Sequence, residues 1–339
     1  MSVSGSLASE PGSHISEDTL LYWRAPNLDV LDCKLAVTIP TFKRPEQLLE
    51  ALTSVAPQIA AHDGVIIVME NEAENREGAQ AATRFMAANG INGLVIVVVK
   101  AGNCNAYNGG WRTVRDHFPN VAHIAVIDDD ETADADWLSQ LMQVQVSTGA
   151  DFVGGPQVPV MPAAANGIVH PVFRPAYGKT GPVPVLYSSG NLLLARRVID
   201  EMPFPFLDPA FNFTGGGDAD LYERARAKGF TFAWANDAIL REPIPERRLE
   251  KKWLRARALR NGALSAIIER RKFGEGFLGR ARVIAKSFAL LFASPFRAFA
   301  TLLRTGSTID AAYKIEIGVG RIMGEFGLIN EQYRNPEKN

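Results

Sequence analysis

Four short apolar runs constrain this chain more than any other feature: LAVTIP (35–40), VIIVM (65–69), LVIVVV (94–99) and HIAVI (123–127). They are too short for buried helices and hardly alternate with polar residues, which is the pattern of strands covered on both faces of a parallel sheet. Helical patterns fill the intervals. Pro45 suits a first helical position, and Leu48, Leu49, Leu52, Val55 and Ile59 recur at helical spacing. Further helices are expected over about 75–88, ending at Asn89-Gly90, over about 106–117, and over about 136–146, ending near Gly149. The alternation predicts an α/β fold with a mixed, mainly parallel sheet.

At 339 residues and 47% hydrophobic content, the chain can bury one large α/β domain plus an appendage, or two modest domains. Residues 1–33 are rich in Ser, Gly and Pro and read as a flexible lead-in with one docking segment, LYWRA. A main domain is expected over 34–245, its first half 34–150. From 151 to 209 the pattern turns to Pro- and Gly-rich segments with short strand candidates, VLYSSGNLLLA being the clearest, and predicts a loop-rich half over 151–245. The run GGGDADLYERARAKG reads as a loop feeding a helix that ends at Gly229, followed by a strand, FTFAWA.

The formal net charge of −1 gives no global nucleic-acid signature, and no nucleic-acid partner is expected. The charge is uneven, however. Between Arg241 and Arg304 there are 16 Lys and Arg against 5 Asp and Glu, so 246–339 is expected to be a basic helical region. Within it VIAKSFALLFASPFRAFATLL (283–303) is apolar, but Lys286, Pro295 and Arg297 interrupt it below the roughly 20 residues that span a bilayer. It predicts an amphipathic helix pair on an anionic membrane surface, the alternative being a helical subdomain that packs its Phe residues on a core. Two cysteines, Cys33 and Cys104, make neither a disulfide framework nor a zinc quartet and fit a reducing compartment. MSVSGSLASEPGSHISED has no basic start followed by an apolar run, so a cytoplasmic location is expected.

The fourth run delivers four acids, Asp128-Asp129-Asp130-Glu131, then Thr132, at a strand's carboxyl end, where open α/β sheets bind ligands. Adjacent carboxylates repel one another, and a hard divalent cation, Mg²⁺ or Mn²⁺, is the natural neutraliser. The bland reading is a solvated helix start. Two enzyme classes use Asp-x-Asp here: haloacid-dehalogenase-type phosphatases, with Asp128 as nucleophile and Thr132 completing the pattern, and nucleotide-sugar transferases, with the acids anchoring metal and diphosphate. In the phosphatases the motif follows the first strand of the core, whereas here three strand candidates precede it. A second acidic turn, Gly215-Gly216-Gly217-Asp218-Ala219-Asp220, offers a carboxylate base; its bland reading is an N-cap. All five histidines, His14, His62, His117, His123 and His170, lie upstream of it, so no downstream His is available as base or metal ligand, and Glu242 is the substitute at hand.

IPTFKRPEQLLEAL, VIDDDETADADWL, SSGNLLLARR, GGGDADLYERARAKG and REPIPERRLEKKWLRARALRNG resemble, in that order, the family 2 glycosyltransferases, nearest to the bacterial glucosyltransferases of succinoglycan-type exopolysaccharide assembly. The resemblance covers about 34–262. It implies a GT-A fold, with a Rossmann-like nucleotide-sugar half and an acceptor half, and inverting transfer of a hexose from a nucleoside-diphosphate sugar with Mg²⁺ or Mn²⁺. The expected donor is UDP-glucose and the expected acceptor a lipid-linked oligosaccharide, with the chain peripheral on the inner face of the cell membrane. By position, Pro40, Thr41 and Arg44 match the first nucleotide-binding loop, Glu70 and Asn71 the acid and Asn near the base, and Asn103, Asn105 and Asn108 with Gly109 the segment passing the donor. Asp128 and Asp130 match the metal and diphosphate motif, with Asp129 between them counted among the donor-binding residues. Gly190 and Asn191 match the acceptor-side loop, and Asp218 the catalytic base, with Asp220 beside it. Arg248 and Trp253 match an Arg and Trp after the last strand, where a guanidinium can grip a diphosphate. Gly217 stands where the family has Glu, a departure that keeps a non-catalytic saccharide-binding protein as an alternative.

Overall fold

The structure, a computed structural model, describes residues 10–165, 169–274 and 276–332. Residues 1–9 of the expected lead-in lie outside the described ones. The rest of the lead-in is not free chain. It forms β1 (His14–Ser16) and β2 (Thr19–Arg24), and β2 adds antiparallel to the sheet, from Thr19 opposite Val98 to Arg24 opposite Leu94. LYWRA docks because Leu21 and Ala25 are buried there.

The four apolar runs are β3 (Leu35–Thr41), with α1 (Pro45–Ile59) after it; β4 (Gly64–Glu70), then α2 (Glu77–Ala88); β5 (Gly93–Val98), then α3 (Asn103–His117); and β6 (His123–Val126). They lie in the order β5-β4-β3-β6, all parallel, and every residue of β3, β4 and β5 is buried, which is why they read as continuous apolar runs. Helix α3 starts at Asn103, three residues before its expected start, so the three matched asparagines stand on a helix rather than in a loop.

After β6 come β7 (Thr132–Ala133), α4 (Trp137–Thr148), β8 (Phe152–Gly154), β9 (Gln157–Val160), β10 (Gly181–Val183), β11 (Leu192–Ala195), α5 (Arg196–Glu201), α6 (Gly217–Ala227), β12 (Phe232–Trp234) and β13 (Leu240–Pro243). The segment expected to be mostly loop thus continues the main sheet, in the order β6-β11-β8-β12-β10, with β11 antiparallel to both neighbours. The ten-stranded sheet buries one core from Leu35 and Val37 through Trp137 and Leu141 to Leu193 and Leu240. This first unit takes in Met1–Val158, Pro175–Asn212 and Ala225–Glu242.

The second unit takes in Pro159–Arg174, Phe213–Arg224 and Pro243–Asn339, with helices α7 (Lys251–Phe273), α8 (Phe277–Thr305) and α9 (Thr308–Glu325). The stretch 283–303, where a pair of amphipathic helices is expected, lies in one helix. Pro295 has no N–H to give the carbonyl of Leu291, and the Ser294 hydroxyl donates to that oxygen instead, at 2.7 Å. Glycines bring the backbones together. A Cβ on Gly324 would meet the Ala263 oxygen at 2.6 Å, and one on Gly320 the Leu259 Cα at 2.8 Å. Gly324→Val should therefore cost on the order of 1–3 kcal/mol of stability by overpacking. Thermal unfolding should show this loss, whereas Gly276→Ala, at an open position with nothing within 4 Å, should leave the midpoint unchanged.

Candidate active site

Strand β3 ends next to β6, and the two carboxyl ends form the centre of the site. Pairing with β6 stops at Thr38, after the Ile127 N–H has donated to the Thr38 oxygen. Pro40 therefore sits where no β6 partner would take the N–H it lacks. Beyond it the chain turns through Lys43, which has a left-handed backbone (φ 55°), and Arg44 points back at the acids. Arg44 Nη1 donates to Asp130 Oδ2 at 2.7 Å and to Asp129 Oδ1 at 3.1 Å. Burial alone would lower the Arg44 pKa, but Asp130 and Asp129 outweigh it and raise it.

The four acids divide by direction. Asp129 is buried, and its Oδ2 accepts from Thr41 Oγ1 at 2.9 Å and from the Phe42 N–H at 3.3 Å, so both its oxygens hold the β3 turn rather than facing a donor. Glu131 is also buried; it accepts from Gln157 and from the Asp128 N–H, and burial together with Asp128 raises its pKa well above the ordinary value. Asp128 and Asp130 stay half-buried. Asp128 Oδ1 accepts from the fully buried Tyr107 hydroxyl at 2.8 Å, and Tyr107 is braced edge-on by Trp111 at 5.5 Å. Burial, with Asp130 and Asp129 adding repulsion, pushes Asp128 up to about 7; burial, opposed by Arg44, pushes Asp129 up to about 6. Glu242 adds repulsion at both Asp128 and Glu131, so it shares their electrostatic neighbourhood. Sequence reasoning missed Tyr107 and Gln157, whose letters carry no signal of the carboxylates they meet.

Several matched residues face inward. Glu70 is fully buried and accepts from the Glu72 and Ala79 N–H groups, each at 2.9 Å, thereby fixing the start of α2; burial raises its pKa. Asn71 donates to the Val98 and Lys100 oxygens and accepts from the Gly102 N–H at 2.6 Å, tying β4 to the β5–α3 loop. Asn108 exchanges two hydrogen bonds with the Leu207 backbone, at 2.7 and 2.9 Å. Asn191, matched to the acceptor side, spends its amide on Trp137 Nε1, Pro156 O and Ala238 O and is buried. These amides and acids satisfy backbone groups that burial would otherwise leave unpaired, and they shape the site without facing it. Asn103 is exposed at the first residue of α3; Asn105 donates to the Ala101 oxygen while its N–H donates to Asn212 Oδ1. Gly190 comes close to Asp128, and a Cβ there would meet Asp128 Oδ2 at 2.8 Å. Any side chain at 190 would crowd the carboxylate.

The remaining matched residues belong to the second unit. Gly217 and Asp218 open α6, Asp218 half-buried. Its Oδ1 accepts from the Ala219 N–H at 2.8 Å; burial raises its pKa, opposed by that hydrogen bond and by Arg260 and Arg257. Asp220, grouped with the acceptor residues by position, is buried in ion pairs with Arg224 at 2.8 Å and Arg271 at 3.2 Å. Trp253 stacks on Phe173 at 5.8 Å, and the Arg248 guanidinium lies 5.8 Å from the Trp253 ring.

Among the described residues, no three His, Cys, Asp or Glu side chains form a self-sufficient metal cage. Asp128 and Asp130 nonetheless fit a hard divalent cation, since Mg²⁺ and Mn²⁺ are commonly held by one or two carboxylates with substrate phosphates supplying the rest. Burial and the neighbouring acids raise the Asp128 pKa, a cost that a bound cation would relieve. The shift also has a sign. A carboxyl raised in the folded state contributes stability below its unfolded value, and that contribution is lost as pH rises through the folded value, here between about 4 and about 7. In a chelator, the melting temperature should fall on going from about pH 5 to about pH 8, and fall less in Asp128→Asn. Adding Mn²⁺ should restore it mainly at the higher pH, and differential scanning fluorimetry checks both effects.

Residues 36–180 match the family described as glycosyl transferase family 2. The chain is 33% identical over 144 residues to the succinoglycan biosynthesis protein ExoM of Rhizobium meliloti (strain 1021), which covers 41% of this chain and 45% of ExoM. It thus spans less than half the length of that curated relative. Among solved structures, the mannosyltransferase PcManGT from Pyrobaculum calidifontis, in complex with GDP-Man and Mn²⁺, aligns at a TM-score of 0.56 and 15% sequence identity over 85% of this chain and 87% of that one. Residues 36–180 thus resemble glycosyl transferase family 2, and the large, mainly parallel sheet with its helical C-terminal region has the GT-A fold of the mannosyltransferase PcManGT.

Proposed function

We propose that this protein transfers a hexose, glucose from UDP-glucose, to a lipid-linked saccharide during exopolysaccharide assembly, with inversion at the anomeric carbon. One observation carries the reading. Within the family-matched segment, Asp128 and Asp130 stay half-exposed at the end of β6, while Asp129 turns inward onto the β3 turn and Glu131 onto the Asp128 N–H. ExoM's role in succinoglycan biosynthesis supports the polysaccharide context, and the fold relative PcManGT was solved with GDP-Man and Mn²⁺.

Asp128 and Asp130 would hold a divalent cation, Mg²⁺ or Mn²⁺, which supplies charge neutralisation to the departing diphosphate. Tyr107 fixes Asp128, and Arg44 fixes Asp130 while adding a positive charge at the same edge. In the transfer step an acceptor hydroxyl oxygen forms the bond to the anomeric carbon, the bond from that carbon to the diphosphate oxygen breaks, and the hydroxyl proton passes to the Asp218 carboxylate. Burial tunes Asp218 upward, toward a useful base, while Arg260 and Arg257 keep the ionised form accessible. Gly217, in place of the family's Glu, leaves acceptor selection to other groups. Arg248, beside Trp253, is the proposed grip on the donor diphosphate. Such an acceptor lies in a membrane, and the chain is proposed to work peripherally on the anionic inner face of the cell membrane.

Asp218→Asn should cut sugar transfer from UDP-glucose to a membrane lipid extract by roughly 10²- to 10⁴-fold, the range for losing a general base, while leaving UDP binding unchanged. Mass analysis of the product checks the first and calorimetry the second. Turnover retained in that variant would move the base elsewhere. Phosphate release from simple esters by wild type, lost in Asp128→Asn, would instead favour the phosphatase chemistry.

A further inference from the structure

We propose that one face of α8 docks in the plane of an anionic lipid bilayer, with Phe292, Phe296, Phe299 and Leu303 entering the headgroup boundary. This deepens the peripheral location proposed above by naming the surface that makes it.

Ile284, Phe288, Phe292, Phe296, Phe299 and Leu303 recur three or four residues apart and form one stripe covering about a third of the helix circumference. Phe292, Phe296, Phe299 and Leu303 are 73%, 79%, 63% and 72% exposed, far more apolar surface than scattered single residues account for. The opposite face, with Val283, Ser287, Ser294, Ala298 and Thr301, is buried. The stripe is thus an outward surface and not the core of its own unit.

Charge selects the occupant. Helix α8 contains no Asp or Glu, and Arg282, Arg297 and Arg304 are exposed along one flank of the stripe. A second copy laid face to face would set these cations against their equivalents, whereas anionic headgroups would pair with them. A spanning helix is also excluded by what α8 carries on its back. The 29-residue helix is long and apolar enough to cross a bilayer by length and composition. However, Ser287 donates to Glu325 at 2.8 Å, and Glu325 pairs with Arg270 at 2.7 Å. Gly318 of α9 lies against Ser294, where a Cβ would come within 3.3 Å of the serine Cβ. Lys286 pairs with Glu269, which also pairs with Arg321. Crossing the bilayer would take these ions into hydrocarbon; lying on the surface leaves them in water or inside the unit.

Full-length protein, without any sugar donor, should cosediment with phosphatidylcholine vesicles containing phosphatidylglycerol, only weakly with phosphatidylcholine alone, and be released by high salt or alkaline carbonate. The double variant Phe292→Ser/Phe296→Ser should bind about tenfold or more weakly with unchanged circular dichroism. Arg297→Gln/Arg304→Gln should lose the preference for phosphatidylglycerol. Binding unchanged in the Phe variant, resistance to carbonate, no binding by wild type, or a wild-type dimer that the Phe variant converts to monomer would each overturn the proposal. Donor hydrolysis by the unbound protein, measured in parallel, separates failure of this surface from failure of the transferase reading.

Discussion

A row of carboxylates at the end of a buried strand is costly, and groups from several elements of the first unit converge to make it tolerable. Burial and mutual repulsion raise Asp128, Asp129 and Glu131 together. The fold answers with one guanidinium, one phenol, one threonine and one amide, each brought from a different element: Arg44 after β3, Tyr107 on α3, Thr41 at the end of β3 and Gln157 on β9. Two acids are thereby committed inward. The other two keep accessible edges, where the proposed cation and diphosphate would sit.

The parts of the fold that could be read from sequence are those whose signal is local. Strands β3 to β6 announce themselves because burial on both faces writes a continuous apolar run, and Gly149 marks the end of α4 with a left-handed residue (φ 65°). The later strands announced themselves unevenly. FTFAWA and VLYSSGNLLLA read as strands and hold β12 and β11, whereas β8 and β10, three residues each, take their identity as strands from their partners. Pro295 read as a break because the chemistry that repairs it, a serine hydroxyl on the carbonyl of Leu291, is a matter of rotamer.

The same limit governs the site. The acids, the Gly-rich turn and the first loop could be placed by spacing, but the direction of each side chain could not. Glu70, Asn71, Asn108, Asn191 and Asp220 all stand at matched positions, yet each spends its polar atoms on the backbone or on ion pairs. Their value to the site is positional: α2, the β5–α3 loop and the loop at Leu207 stay where they are because these groups satisfy buried donors and acceptors. Tyr107 shows the converse, an unremarkable letter on α3 whose hydroxyl orients a carboxylate at the centre of the site.

The central claim is that Asp128 and Asp130 form a joint anchor for a divalent cation and a nucleoside diphosphate. Titration calorimetry of UDP into the protein, with Mn²⁺ and then with chelator, tests it most directly. The account predicts that UDP binds with Mn²⁺, that chelator abolishes binding, and that Asp130→Asn loses the Mn²⁺-dependent part while remaining folded. UDP binding of equal strength in chelator, or unaltered by Asp130→Asn, would contradict it.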